Sequence, residues 1–211
     1  MKRIFQQAGS ILILAGVLSA CAPVMLGGAV MGGLVAVDRR TSGAQLEDEG
    51  IELRGAMALR DNLGGRVHIN VTSYNRQVLL TGEVPRAQDR QLAEQVVSNV
   101  ENVRFVVNEL AVLGNSSLTE RSTDALATGR VKAALVDAQD LYASAFKVLT
   151  ERGTTYLMGR VTRREADRAT EIARSTSGVQ KVVRVFEIIS EDELQRLLPK
   201  QAASEKPAPK K

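Results

Sequence analysis

Two side chains bound the chemistry open to this 211-residue chain, which has one cysteine, Cys21, and one histidine, His68. Cys21 closes the run Leu18-Ser19-Ala20-Cys21. It follows a short apolar stretch, Ile11 to Val17, with Lys2 and Arg3 at the start. A positive start, a short apolar middle and small residues before a fixed position have the form of a secretory signal peptide over residues 1–20. His68 lies in Arg66-Val67-His68-Ile69-Asn70-Val71, where apolar and polar residues alternate. That period of two puts it on the polar face of a strand and predicts a surface histidine rather than a catalytic one. No Ser-His-Asp or Cys-His set can be assembled around it. A zinc site would need more Cys or His ligands than the chain has. Glu47-Asp48-Glu49 and Glu191-Asp192-Glu193 are acidic clusters, and adjacent acids at helix starts serve the helix dipole. Gly27-Gly28 and Gly32-Gly33 lack the following Lys-Ser/Thr of a phosphate loop. The residues therefore predict no enzyme, no metal and no cofactor.

The run Leu-Ser-Ala-Cys resembles the bacterial lipobox. The resemblance implies that the Cys21 thiol receives a diacylglycerol, that the chain is cut before it, and that the new amino group is acylated. Each buried methylene adds about 0.8 kcal/mol, so two or three acyl chains anchor stably where one would not. The resemblance also implies a sorting outcome. Ala22 is not acidic, which points to the outer membrane with the body facing the periplasm. A spanning helix needs roughly 20 apolar residues, more than Ile11 to Leu18 provide. Joined to the apolar stretch Ala22 to Val37 they could pass for a span, but Gly27, Gly28, Gly32 and Gly33 weaken a helix there. A flexible lipidated tether over 21–46 is the expectation that follows.

The charge balance limits the partners. Removing Lys2 and Arg3 from 28 basic residues leaves 26 against 24 acidic ones, about +2 for the mature chain. Aromatic residues make up 3% of the chain, and no Lys/Arg run interleaves with them. This is not the footprint of a nucleic-acid binder. One cysteine forms no disulfide within the chain, so stability must come from aliphatic cores. The 44% hydrophobic content suffices for one or two small domains.

The body repeats itself. Gln77-Val78-Leu79-Leu80-Thr81-Gly82-Glu83-Val84 aligns with Thr154-Thr155-Tyr156-Leu157-Met158-Gly159-Arg160-Val161, and Asn102-Val103 to Val107 with Gly178-Val179 to Val183. Each copy reads as a helix (about Asp48 to Leu59, and Thr123 to Val136), a strand (about 66–74 and 145–151), and a tight turn at Asn75-Arg76-Gln77 or Arg152-Gly153-Thr154. A second strand then ends at Gly82 or Gly159, a helix follows (about 87–99 and 163–175), and a last strand closes the copy (103–112 and 179–189). The predicted class is α+β, each unit a three-stranded mixed sheet covered by two helices on one face. A short helix over Glu191 to Leu198 and a disordered Pro/Lys-rich end complete the chain over 191–211.

The run Val-x-Leu-x-Gly-x-Val, a polar helix, and then Gly178-Val179-Gln180-Lys181-Val182-Val183 resemble the BON domain. Copy one departs by carrying Asn102 in place of the glycine. The expected units are BON domain 1 over 47–113, a linker over 114–122, and BON domain 2 over 123–190. With the lipobox and the stretch Val37-Asp38-Arg39-Arg40-Thr41, the architecture resembles the dual-BON outer-membrane lipoproteins. That resemblance implies a membrane partner through the N-terminal lipid. It implies recognition of anionic phospholipid (phosphatidylglycerol or cardiolipin) by the first helix of the second unit, and a role in envelope integrity and at division sites. At about 100° per residue, Ala127, Val131, Ala134, Leu135 and Ala138 share the inward face of that helix. Leu126, Arg130 and Ala133 lie together on another face, with Lys132 and Val136 further round. Leu126 among acyl chains and Arg130 on a phosphate make a sensible membrane contact. Two other functions fit the same residues: an adaptor docking on the outer-membrane β-barrel assembly machinery, and a periplasmic stress or chaperone-like module.

Overall fold

The computed structural model describes residues 38–197, so the signal peptide, Cys21, most of the expected tether and the Pro/Lys-rich end lie outside the described residues. In chain order the first half contains α1 (Ser42–Leu63), β1 (His68–Tyr74), β2 (Gln77–Val84), α2 (Ala87–Ser98), β3 (Phe105–Asn108) and β4 (Ala111–Val112). The second half contains α3 (Leu118–Asp137), β5 (Lys147–Glu151), β6 (Thr154–Val161), α4 (Arg163–Ser175) and β7 (Lys181–Ile188), and α5 (Glu191–Leu197) follows. The class is α+β, with two BON-type units in tandem.

Each half grows from a hairpin whose turn holds two left-handed residues. Asn75 (φ 51°) and Arg76 (φ 67°) make it in the first, Arg152 (φ 49°) and Gly153 (φ 71°) in the second. Positive φ at both central positions gives the turn whose twist matches that of its strands, and it sets β1 antiparallel to β2 and β5 antiparallel to β6. The crossover helices α2 and α4 then return the chain parallel to the central strands, pairing Val78 with Val106 and Tyr156 with Val183. The single last strand expected over 103–112 is interrupted: Leu110 is buried, its amide is taken by the Asn108 side chain, and pairing resumes at Ala111.

Two helices begin earlier than their apolar periodicity suggested. The first starts at Ser42 rather than Asp48, because the Thr41 hydroxyl accepts a hydrogen bond from the Ala44 amide. Its first turn therefore occupies residues expected to be tether. The second starts at Leu118 rather than Thr123, because Ser117 and Glu120 form a reciprocal capping box, and it takes up part of the expected linker. The strand ends also shift: β2 and β6 run through Gly82 and Gly159 to Val84 and Val161.

On one face of the first sheet, Val78, Leu80 and Val84 pack with Ile51, Leu59 and Leu63 of α1 and Ala93 and Val97 of α2. In the second, Val148, Leu157 and Val161 pack with Val131 and Leu135 of α3 and Ala169, Ile172 and Ala173 of α4. The opposite faces of the two sheets meet each other. Tyr74 and Leu79 from one, and Tyr156, Met158 and Val185 from the other, form a third core. The order of layers is helices, sheet, sheet, helices. Leu79 and Met158 are fully buried there, and a buried side chain of that size contributes roughly 1.5–3 kcal/mol. Tyr74 at the end of β1 is therefore buried against the second sheet, whereas Asn70 on the same face stays exposed.

Candidate functional site

The helix α3 is held by its inner face and open on its outer one. Its capping box satisfies two backbone amides, with Glu120 N to Ser117 Oγ at 3.2 Å and Ser117 N to Glu120 Oε2 at 2.7 Å. Ala127, Val131 and Leu135 are buried against the sheet. The buried Asp124 accepts from the Arg152 amide at 2.7 Å and the Gly153 amide at 2.9 Å, tying the helix to the hairpin turn. The first half repeats the device: Asp48 of α1 accepts from the Asn75 and Arg76 amides, both at 2.7 Å. The turn amides point away from their own strands, so a carboxylate fixed on a packed helix satisfies them. The sequence hides this pair, because Asp48 sits among acidic neighbours that read as a helix-dipole cluster and Asp124 lies on a helix with other polar residues around it.

All five residues expected on the membrane-facing side of α3 are exposed: Leu126, Arg130, Lys132, Ala133 and Val136. Leu126 keeps 61% of its surface and Val136 68%. Leu118, which the late expected start of the helix left out, is 80% exposed. The capping box just before it was the signal for its inclusion. Among the described residues neither Arg130 nor Lys132 forms an ion pair. Arg130 donates to the Ser177 carbonyl at 3.4 Å, where the turn before β7 runs under the helix. Gly178 (φ 96°) makes that passage, and a Cβ there would sit 3.3 Å from the Ala127 Cβ. Asn102 takes the equivalent place in the first half with φ 67°, since asparagine tolerates left-handed backbone better than most residues.

The seam between the sheets gathers the buried charges. Arg39, just before α1, makes a bidentate pair with Glu165 at 2.7 Å for each contact, with both side chains 1% exposed, and donates to the Arg160 carbonyl at 2.9 Å. Burial pushes the Glu165 carboxyl up, but the Arg39 fork, the Thr162 amide and the Arg39 charge together hold it below the ordinary carboxylate range. Arg40 turns the other way, stacking on the Tyr74 ring at 4.3 Å and reaching Asp48 at 2.8 Å. Successive arginines thus tie the segment entering the body to both halves.

At another part of the seam, His68 Nδ1 lies 2.8 Å from Glu83 Oε2, and Arg152 of the second half donates to Glu83 Oε1 at 3.2 Å. Asn70 donates to Glu151 Oε2 at 2.8 Å. The His68, Glu83 and Glu151 ligand atoms all fall within 4.8 Å of one another. His68 is accordingly half-buried against a carboxylate rather than lying free on a polar strand face. The glutamates come from strand positions that gave no sign in sequence of meeting.

Comparison with known proteins finds one family in both halves. The sequence matches the family described as "BON domain" over residues 52–114 and again over 123–190. It is 34% identical over 174 residues to the outer membrane lipoprotein DolP of Haemophilus influenzae, spanning 82% of this chain and 90% of that protein. The chain belongs to this dual-BON, DolP family of outer-membrane lipoproteins. It is also 33% identical over 155 residues to a protein named "21 kDa hemolysin" of Actinobacillus pleuropneumoniae, covering 72% of this chain and 80% of that one. Among solved structures, CdsD of the Chlamydia trachomatis type III secretion system aligns with 75% of this chain and 99% of its own at 13% identity and a TM-score of 0.26, which adds nothing to the assignment. Among the described residues no helix is long and apolar enough to cross a membrane.

Proposed function

We propose that this protein is a non-enzymatic scaffold, held by acylated Cys21 in the outer membrane with its body in the periplasm, that binds anionic phospholipid through the outer face of α3. Through that contact it supports envelope integrity, including at division sites. The observation that carries the reading is the exposure of Leu126 and Val136 on the helix that also carries Arg130 and Lys132, two exposed cations that form no ion pair among the described residues. Large apolar side chains left in water beside unpaired cations suit an interface of acyl chains and phosphates. Leu126 is 61% exposed and belongs to none of the three cores formed by the described residues.

The test is co-sedimentation of the chain from residue 22, which lacks the acylated cysteine, with vesicles that contain or lack phosphatidylglycerol. Wild type is expected to pellet with the anionic vesicles. Leu126→Glu and Arg130→Glu are expected to cut partition at least about tenfold, from the loss of one buried leucine and one cation near the surface. Equal pelleting of wild type and Leu126→Glu would sink the assignment to α3.

A second reading rests on the first half. Leu46, Leu53 and Met57 are 71%, 64% and 58% exposed on α1, and their spacing puts them on one helix face. This favours a protein-docking role for the first unit, with the outer-membrane β-barrel assembly machinery as partner. Photocrosslinkers at Leu53 and at Leu126, compared in cells, separate the two. A protein adduct at Leu53 with no phospholipid adduct at Leu126 supports the adaptor over the lipid binder.

A further inference from the structure

The sequence holds one imidazole and, once Cys21 is acylated, no free thiol. Counting nitrogen and sulfur ligands alone therefore leaves no zinc site. The fold changes that count by adding carboxylates. His68 and Glu83 come from adjacent antiparallel strands of the first half, cross-strand partners in the register. Glu151, at the end of β5 in the second half, is brought to them when the sheets dock. One imidazole nitrogen and two carboxylate oxygens lie within 4.8 Å of one another, the closest pair at 2.8 Å. We propose that His68, Glu83 and Glu151 form a site for a zinc-class divalent cation that pins the two BON units together.

The ligand chemistry selects the class of ion. Zinc accepts mixed nitrogen and oxygen donors at about 2.1 Å, and tetrahedral bonds of that length set neighbouring donors roughly 3.4 Å apart. Metal binding requires the three donors to draw in from within 4.8 Å of one another to about that spacing. Three protein ligands leave a fourth position for water, and His68 is 19% exposed, so the site can be reached from solvent. Calcium and magnesium prefer about six or more oxygens, which three donors including a nitrogen do not supply.

The surroundings favour the arrangement. Arg152 engages Glu83 through Oε1, and Oε2 faces His68 at 2.8 Å while also accepting from Ser116 Oγ at 3.4 Å. Ser116, which accepts from Arg121, donates to Glu83 from the side of the domain linker. Asn70 orients Glu151. Such outer contacts fix ligand carboxylates in metal sites. Arg152 pairs with Glu83 at 3.2 Å and with Glu120 at 3.9 Å, and Glu151 forms no ion pair among the described residues, so the pocket keeps an excess of negative charge. Because ligands come from both halves, the ion would bind the docked seam and not separated units, and so stabilise the docked form.

Isothermal titration of zinc chloride into the full chain in detergent, prepared without a histidine tag, tests this. One zinc per chain is expected to bind, with a higher Tm in its presence. His68→Gln and Glu151→Gln are each expected to weaken binding at least about tenfold, the lower end of what disturbing even the supporting shell of a metal site costs. A variant with Glu191, Asp192 and Glu193 all changed to Gln keeps wild-type affinity. Should one seam variant fail to fold, the other decides. Absence of saturable binding, wild-type affinity in His68→Gln or Glu151→Gln, or loss of binding in the α5 variant overturns the proposal.

Discussion

Arg39→Ala is expected to destabilise the protein by about 3–5 kcal/mol, the cost of removing one partner from a buried ion pair. Glu165 would stay buried, with Thr162 its remaining donor, and the segment before α1 would lose its hold on the second half. Arg168→Ala is the contrast. Its pairs with Asp140 and Glu171 are exposed, and exposed pairs are worth roughly 0–1 kcal/mol. Urea denaturation of both variants beside wild type measures the difference, and a loss at Arg39 no larger than at Arg168 contradicts the clamp.

The pH dependence of the same pair changes sign on mutation. In wild type the folded pKa of Glu165 lies below its ordinary value of 4.5. A depressed carboxyl contributes stability that is full above that value and is lost as pH falls through the folded pKa. Without Arg39, burial dominates and raises the folded pKa. A raised carboxyl contributes stability that is full below 4.5 and is lost as pH climbs through the folded pKa. The deficit of Arg39→Ala relative to wild type should therefore shrink on acidification. A deficit that stays constant from neutral pH to below 4.5 would show that Glu165 is not the coupled group.

Gly82→Ala is the second change of large effect. Gly82 has φ of 110°, and a Cβ added there would lie 2.1 Å from the His68 carbonyl oxygen, a backbone atom that cannot yield without moving β1. Gly159 repeats the constraint, with an added Cβ 2.4 Å from the Ala145 carbonyl oxygen. Strain and overlap at Gly82 together are expected to cost more than about 4 kcal/mol, the range reserved for breaks in special backbone or packing. Gly65→Ala meets nothing within 4 Å and is expected to change stability by under about 1 kcal/mol. Thermal unfolding followed by circular dichroism compares the three. A Gly82→Ala protein that melts with wild type would mean the strand crossing at His68 is looser than described.

The glycines also show how a repeat carries information. Gly82 and Gly159 hold equivalent places and their recurrence reveals the repeat, but the close backbone approach at each, and the run of the strands past them to Val84 and Val161, come only from the structure. The left-handed turns at Asn75-Arg76 and Arg152-Gly153 were legible as turns for the same reason. The aspartates that hold those turns were not: Asp48 was taken with its acidic neighbours as a helix-dipole cluster, whereas the fold buries it and gives its oxygens to amides 27 and 28 residues on. The early helix starts were legible too, in Thr41 and in the Ser117–Glu120 pair, but apolar periodicity outweighed the caps.

The sequence by itself determined the doubled unit, the order of its elements and the inward face of α3, because these follow from local periodicity, turn chemistry and similarity between the copies. The exposure of Leu126, Arg130, Lys132, Ala133 and Val136 also followed, since a helix packed by one face must show the other. Only the tertiary structure decided what covers the far side of each sheet. Alternation on β1 separates two faces but does not say that the more polar one will meet a second sheet, burying Tyr74, half-burying His68 and leaving Asn70 exposed. The joining of Arg39 to Glu165 and of His68 to Glu83 and Glu151 depends on that docking. These pairs lie on different elements, the farthest 126 residues apart, and no local pattern encodes a contact made by whole layers.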